Sequence, residues 1–222
     1  MSGADDTVLN VRRCAKFFGS KLVFKDVSCS LRAGEVLLVA GANGAGKSTL
    51  VKIMAGLARP SAGDVSLNLP DERVAYLGHS TFLYPGMTAR ANLSFWAGMY
   101  GLKPTADELD AVLQRVGLFR AAEEKAGGFS RGMAQRLNLA RVYLVRPSLV
   151  FLDEPGTGLD VRSLSMLRDE IVAYREQGVS IVWISHHLGE DVAMADTVLC
   201  LAKKRVDYYG PATDFDAGRL LC

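Results

Sequence analysis

Apolar and polar positions alternate along Asp26-Val27-Ser28-Cys29-Ser30-Leu31, the period of a strand with one covered face. Val36-Leu37-Leu38-Val39-Ala40 is instead a continuous β-prone run, as expected of a strand covered on both faces. A glycine-rich turn follows, and then Leu50, Val51, Ile53, Met54 and Leu57 fall at helical spacing within Lys47 to Leu57. Two more covered strands are expected at Leu149 to Leu152 and Val179 to Ile184, with a helix from Asp160 to Gln177 between them. This alternation predicts a doubly wound α/β core built on a parallel sheet.

Between about Pro85 and Arg146 the pattern changes to helix after helix. Thr88 is placed to cap a helix running to Tyr100. Thr105-Ala106-Asp107-Glu108 is a capping box, with Leu109, Val112, Leu113 and Val116 as the apolar face behind it and Gly117 as the stop. A third helix is expected to start after Ser130 and end before Pro147. The chain therefore reads as one domain, a core of about 1–84 and 147–222 with an all-helical subdomain of about 85–146 inserted into it. Near the C-terminus, Val198 to Tyr209 reads as a strand pair turning at Lys203-Lys204-Arg205, a solvated charged turn.

Composition narrows the function classes. At 222 residues the chain suits a single domain with a substantial core. Its 26 Lys and Arg against 24 Asp and Glu leave a net charge of +2, so no basic coat for nucleic acid is present. Apolar runs fall far short of the roughly 18 to 20 residues of a membrane-spanning helix, so any membrane role is expected to run through a partner. Met1 to Asp6 has no secretory pattern, which points to the cytosol. Cys14, Cys29, Cys200 and Cys222 are scattered without metal-ligand spacing and read as reduced thiols.

The chemistry begins at Gly41-Ala42-Asn43-Gly44-Ala45-Gly46-Lys47-Ser48-Thr49, which satisfies G-x-x-x-x-G-K-[ST] between a buried strand and a helix. In such a loop backbone N–H groups turn toward phosphates and the helix N-terminus adds positive potential. Lys47 reaches the β and γ oxygens, and Ser48 is a ligand for Mg²⁺. Downstream, Val150-Phe151-Leu152-Asp153-Glu154-Pro155 is an apolar strand ending in two carboxylates, expected beside the phosphate loop. Asp153 is expected in the Mg²⁺ shell, with Glu154 orienting and deprotonating the attacking water. Strand alternation would turn the two to opposite sides.

Over nearly its whole length the sequence resembles the ATP-binding subunits of ABC transporters, whose core is the RecA-like fold of P-loop NTPases. Phe18, 29 positions before Lys47, resembles the aromatic that stacks on adenine. Phe129-Ser130-Arg131-Gly132-Met133-Ala134-Gln135-Arg136 resembles the family signature at the start of a helix. Gly158-Leu159-Asp160 resembles the loop after the acidic strand, and His186 the switch histidine at the γ-phosphate. The resemblance implies a Mg²⁺-dependent ATPase that forms an ATP-dependent homodimer and docks on an integral membrane permease at the cytoplasmic face of the cell membrane. In that dimer Ser130 and Gly132 of one copy complete the other's site. His79 stands where most members carry glutamine, and Arg131 and Met133 replace the usual glycine and glutamine. An imidazole at 79, unlike an amide, would make turnover pH-sensitive.

The run Tyr76-Leu77-Gly78-His79, with Thr81 to Thr88 and Ala91-Asn92-Leu93-Ser94-Phe95-Trp96, resembles CcmA, the ATPase subunit of the haem exporter of cytochrome c maturation. ATPase subunits of drug, lipid or polysaccharide exporters are the alternative. Phe82-Leu83-Tyr84-Pro85 either packs into the core or receives the membrane subunit. A soluble ATPase of the family acting on DNA or ribosomes would carry a coiled coil or a second cassette, but only 83 positions separate Lys47 from Ser130 and no heptad array is present. A P-loop GTPase is excluded by the missing Asn-Lys-x-Asp motif.

Overall fold

The computed structural model of the chain describes residues 6–70, 73–78, 81–156, 161–185, 187–216 and 218, with the side chains of 161–163 left out. Its centre is a six-stranded sheet built from β3 (Val36–Gly41), β5 (Val74–Leu77), β6 (Leu149–Asp153), β7 (Ser180–Ile184), β8 (Thr197–Ala202) and β9 (Arg205–Pro211). The order is β5-β6-β7-β3-β8-β9, parallel except for the last hairpin strand. Because β3, β6 and β7 are covered on both sides, their unbroken apolar runs split by parity. Val36, Leu38, Val150, Leu152, Ile181 and Trp183 face one hydrophobic cluster; Leu37, Val39, Leu149, Phe151, Val182 and Ile184 face another.

The second face is closed by helix α1 (Lys47–Met54), through Leu50, Val51, Ile53 and Met54, and by a separate antiparallel sheet. That sheet comprises β1 (Thr7–Phe18), β2 (Lys21–Arg32) and β4 (Ala62–Leu67), in the order β2-β1-β4. The alternating run at Asp26 to Leu31 is thus a strand, as expected, but it joins this antiparallel layer rather than the parallel sheet. Helix α1 also ends earlier than its periodicity suggested. The chain turns at Gly56, Leu57 N–H returns to the Lys52 carbonyl at 2.8 Å, and the Leu57 side chain is exposed.

The first face is covered by helices α2 (Ala89–Met99), α3 (Ala106–Arg115), α4 (Arg131–Val145) and α5 (Val161–Glu176). The inserted helices share one apolar cluster with the sheet: Leu93, Leu113, Leu137 and Ala140 meet Leu77, Val150 and Trp183. The three helix starts follow their caps. Thr88 accepts from Ala91 N–H, Thr105 and Glu108 form the reciprocal box, and Ser130 accepts from Met133 N–H. No helix among the described residues is long and apolar enough to cross a membrane. Cys14, Cys29 and Cys200 are free and buried. Burial, with Cys14 adding to it, pushes the Cys29 thiol up to about 12, so it stays protonated and inert.

Candidate functional site

The loop Gly41 to Lys47 leaves the C-terminal end of β3, and at Gly41 and Gly46 its backbone conformation suits only glycine. Gly46 has φ +100°, and a Cβ there would sit 2.7 Å from Val23 Cγ1. Gly41 has φ +140°, and its Cβ would sit 2.5 Å from the Leu201 carbonyl oxygen. Helix α1 begins with no side-chain cap and no acidic residue in its first turn, so its N–H groups and dipole present uncompensated positive potential to the loop. Lys47, only 5% exposed, donates from Nζ to the Gly41 and Ala42 carbonyls at 2.8 and 3.1 Å. Burial pushes its pKa down, while the nearby carboxylates of Glu154 and Asp153 push it back up.

A cleft of about 390 Å³ opens over this loop. Asn43 to Thr49 form its floor, with Ala45, Gly46 and Ser48 among them, and Phe18 and Glu154 stand at its walls. Phe18 ends β1 and is 60% exposed, so its ring face is available for stacking rather than spent in the core. Lys16 Nζ lies 5.1 Å from that ring centroid. Lys21 and Lys204 also line the cleft. The Lys203-Lys204-Arg205 turn is therefore more than a solvated tip: Lys204 accepts a backbone bond from Lys25 N–H at 3.0 Å and sits at the cleft rim. Nothing local in the sequence distinguishes Lys204 from its neighbours.

Although strand β7 lies between β3 and β6, both carboxylates come close enough to the loop to act on Lys47, and Glu154 lines its cleft. Strand alternation does not separate them. Asp153 is the last strand residue and 1% exposed, whereas Glu154 lies past the strand in a left-handed backbone (φ +54°), fixed by its N–H to the Ile184 carbonyl at 3.2 Å. That conformation is costly for a residue with a Cβ and re-aims the side chain into the cleft.

Asp153 accepts a hydrogen bond on Oδ2 from the Tyr76 hydroxyl at 2.5 Å, while its buried Oδ1 has no hydrogen-bond partner among the described residues. One buried carboxylate oxygen without a partner, on a residue that acts on Lys47 next to Ser48, suits Mg²⁺, which binds few protein ligands and completes its shell with water and phosphate. No cluster of three or more His, Cys, Asp or Glu among the described residues forms a closed metal cage.

Ser130 is exposed at the N-cap of α4, followed by Gly132 in the first turn, and neither lines the cleft of its own chain. Gln135 of the same helix is buried and donates from Nε2 to the Pro155 carbonyl at 3.0 Å, tying the signature helix to the segment after Glu154. His79, Gly158, Leu159, Asp160 and His186 lie outside the described residues. The segment flanking position 186 is held by Asp191, fully buried, which accepts from Ser185 Oγ and from Arg168 Nε, the latter at 2.8 Å. At Phe82 to Pro85 the two readings divide by residue. Leu83 packs on the core, whereas Phe82 and Tyr84 are 54% and 45% exposed. Asn92 fixes this turn through Tyr84 N–H at 2.8 Å and the Tyr84, Met87 and Thr88 carbonyls.

Comparison with known proteins matches residues 24–157 to the family described as ABC transporter. The chain is 34% identical over 212 residues to the ABC transporter ATP-binding protein YdbJ of Bacillus subtilis (strain 168), covering 90% of this chain and 68% of that protein. It is 35% identical over 201 residues to the cytochrome c biogenesis ATP-binding export protein CcmA 2 of Cupriavidus metallidurans, covering 86% of this chain and 95% of that protein. A solved structure of an ATP-binding subunit of an ABC transporter superposes with a TM-score of 0.85 at 28% identity, over 94% of this chain and 91% of the other.

Proposed function

This chain belongs to the ABC transporter family, and on that premise we propose that it hydrolyses Mg²⁺-ATP at the cytoplasmic face of the cell membrane to drive a separate permease in a haem-export system of the CcmA type. The observation that carries the chemistry is the union, in one cleft, of an exposed aromatic, a phosphate loop with its lysine, and Glu154.

Phe18 stacks on the adenine. The backbone of Gly41 to Lys47 and the Lys47 ammonium hold the β and γ phosphates, with Ser48 and Thr49 at the helix start. Ser48 and Asp153 hold Mg²⁺, which supplies charge neutralisation on the phosphate oxygens. Glu154 accepts the proton of the attacking water as the water oxygen bonds to the γ-phosphorus and the bond to ADP breaks. By the family resemblance, His186 would contact the γ-phosphate, His79 the attacking water, and Asp160 the nucleotide. Ser130, which is exposed, and Gly132, neither of which lines the cleft of its own chain, are donors for the ATP of a second copy, so chemistry is complete only in the closed homodimer. Phe82 and Tyr84 receive the permease, and the helical subdomain of about 85–146 moves against the core of about 1–84 and 147–222.

The Tyr76 to His79 run and the 35% identity to the CcmA protein support the haem-export reading. Identity to YdbJ is nearly as high, so another exporter is the alternative reading. Deletion of the gene in its source organism is expected to abolish covalently haem-stained c-type cytochromes, with rescue by the wild-type gene and none by Lys47→Ala. Normal c-type cytochromes after deletion would favour the alternative.

A further inference from the structure

We propose that Tyr76 is a positioning residue for the metal shell, holding one oxygen of Asp153 so that the other faces the metal, and that Arg141 fastens this arrangement to the signature helix. The inference rests on the reading of Asp153 as a metal-shell residue. Tyr76 pairs with Phe151 in the parallel register of β5 and β6, so its side chain rises from the sheet beside the strand end that carries Asp153. Its hydroxyl donates to Asp153 Oδ2 at 2.5 Å, a short bond to a charged acceptor, and Oδ1 is left buried and without a partner. A carboxylate held by one oxygen is restrained in rotation, which favours one direction for the second oxygen before any metal arrives.

The phenol is itself confined. Its ring lies against the bare backbone of Gly78, where a Cβ would come within 2.9 Å of Tyr76 Cε1. Its main-chain carbonyl accepts from Arg141 Nη2 at 2.9 Å. Arg141 is 5% exposed, its guanidinium carbon lies 4.7 Å from the Trp96 ring centroid and 6.0 Å from that of Phe82, and its Nε has no hydrogen-bond partner among the described residues. A contiguous path thus runs from the exposed aromatic Phe82, through Arg141 on α4, to Tyr76 and Asp153. Satisfying a half-buried phenol would require only an acceptor. It would not require one whose second oxygen is left buried and without a partner.

Tyr76→Phe removes only the hydroxyl. The test is the Mn²⁺ dissociation constant of the chain saturated with the non-hydrolysable analogue AMP-PNP, read by electron paramagnetic resonance for wild type, Tyr76→Phe, Asp153→Asn and Tyr143→Phe. The last removes a buried phenol hydroxyl outside the site. The proposal expects Tyr76→Phe to weaken Mn²⁺ by about tenfold, in the same direction as Asp153→Asn, with Tyr143→Phe unchanged. A shift for Asp153→Asn with none for Tyr76→Phe would overturn the proposal alone. An equal loss in Tyr143→Phe would overturn it as a general packing effect. No shift in Asp153→Asn would remove the underlying metal reading and the proposal with it.

Discussion

Gly46 carries a sharp steric demand in the nucleotide cleft. Its φ of +100° and the 2.7 Å approach to Val23 mean that even a methyl group must displace β2 or the loop. Gly46→Ala is expected to lower stability by about 1–3 kcal/mol, the usual cost of a strained backbone position, and to abolish ATP binding because the loop's N–H groups lose their convergence. Urea unfolding and equilibrium dialysis with ATP check the two effects separately; wild-type ATP affinity in this variant would contradict the loop's role. Glu154 is strained in the opposite sense: it keeps its Cβ in the left-handed region, and the bond from its N–H to Ile184 holds it there.

Among the elements, the helical insertion depends most on local chemistry. Its starts are set by Thr88, Thr105 and Ser130, each accepting from a backbone N–H in the first turn. Thr105→Ala removes half of a reciprocal box on α3 and should cost about 1 kcal/mol in urea unfolding, with no effect on ATP binding; an unchanged unfolding midpoint would show that packing alone sets this helix. Such caps are local, which is why the helices and the covered strands β3, β6 and β7 were legible in the sequence. Strand β1 was not. Its alternation breaks at Arg12 and Arg13, where the pairing register shifts and Arg13 adopts φ +44°. Strand β4 is short and largely exposed, so little burial marks it. The site divided in the same way. The phosphate loop and the acidic strand end are contiguous motifs, but the Tyr76–Asp153 bond joins residues 77 positions apart and exists only through the β5–β6 register. Lys204 reaches the cleft only through a tertiary hairpin.

For the whole molecule, the two faces of the central sheet do different work. One is closed by α1 and the antiparallel layer, which brings Phe18 over the phosphate loop. The other carries the inserted helices, whose signature residue Ser130 faces outward, away from the cleft of its own chain. On the proposed reading, a molecule arranged this way would bind nucleotide alone and need a second copy to finish the site. Hydrolysis through Glu154 is tested by phosphate release from Mg²⁺-ATP by wild-type and Glu154→Gln chains, each purified with its membrane partner. Glu154→Gln is expected to lose about a hundredfold or more in rate while ATP remains bound and the dimer persists. Turnover at the wild-type rate in Glu154→Gln would contradict hydrolysis through Glu154.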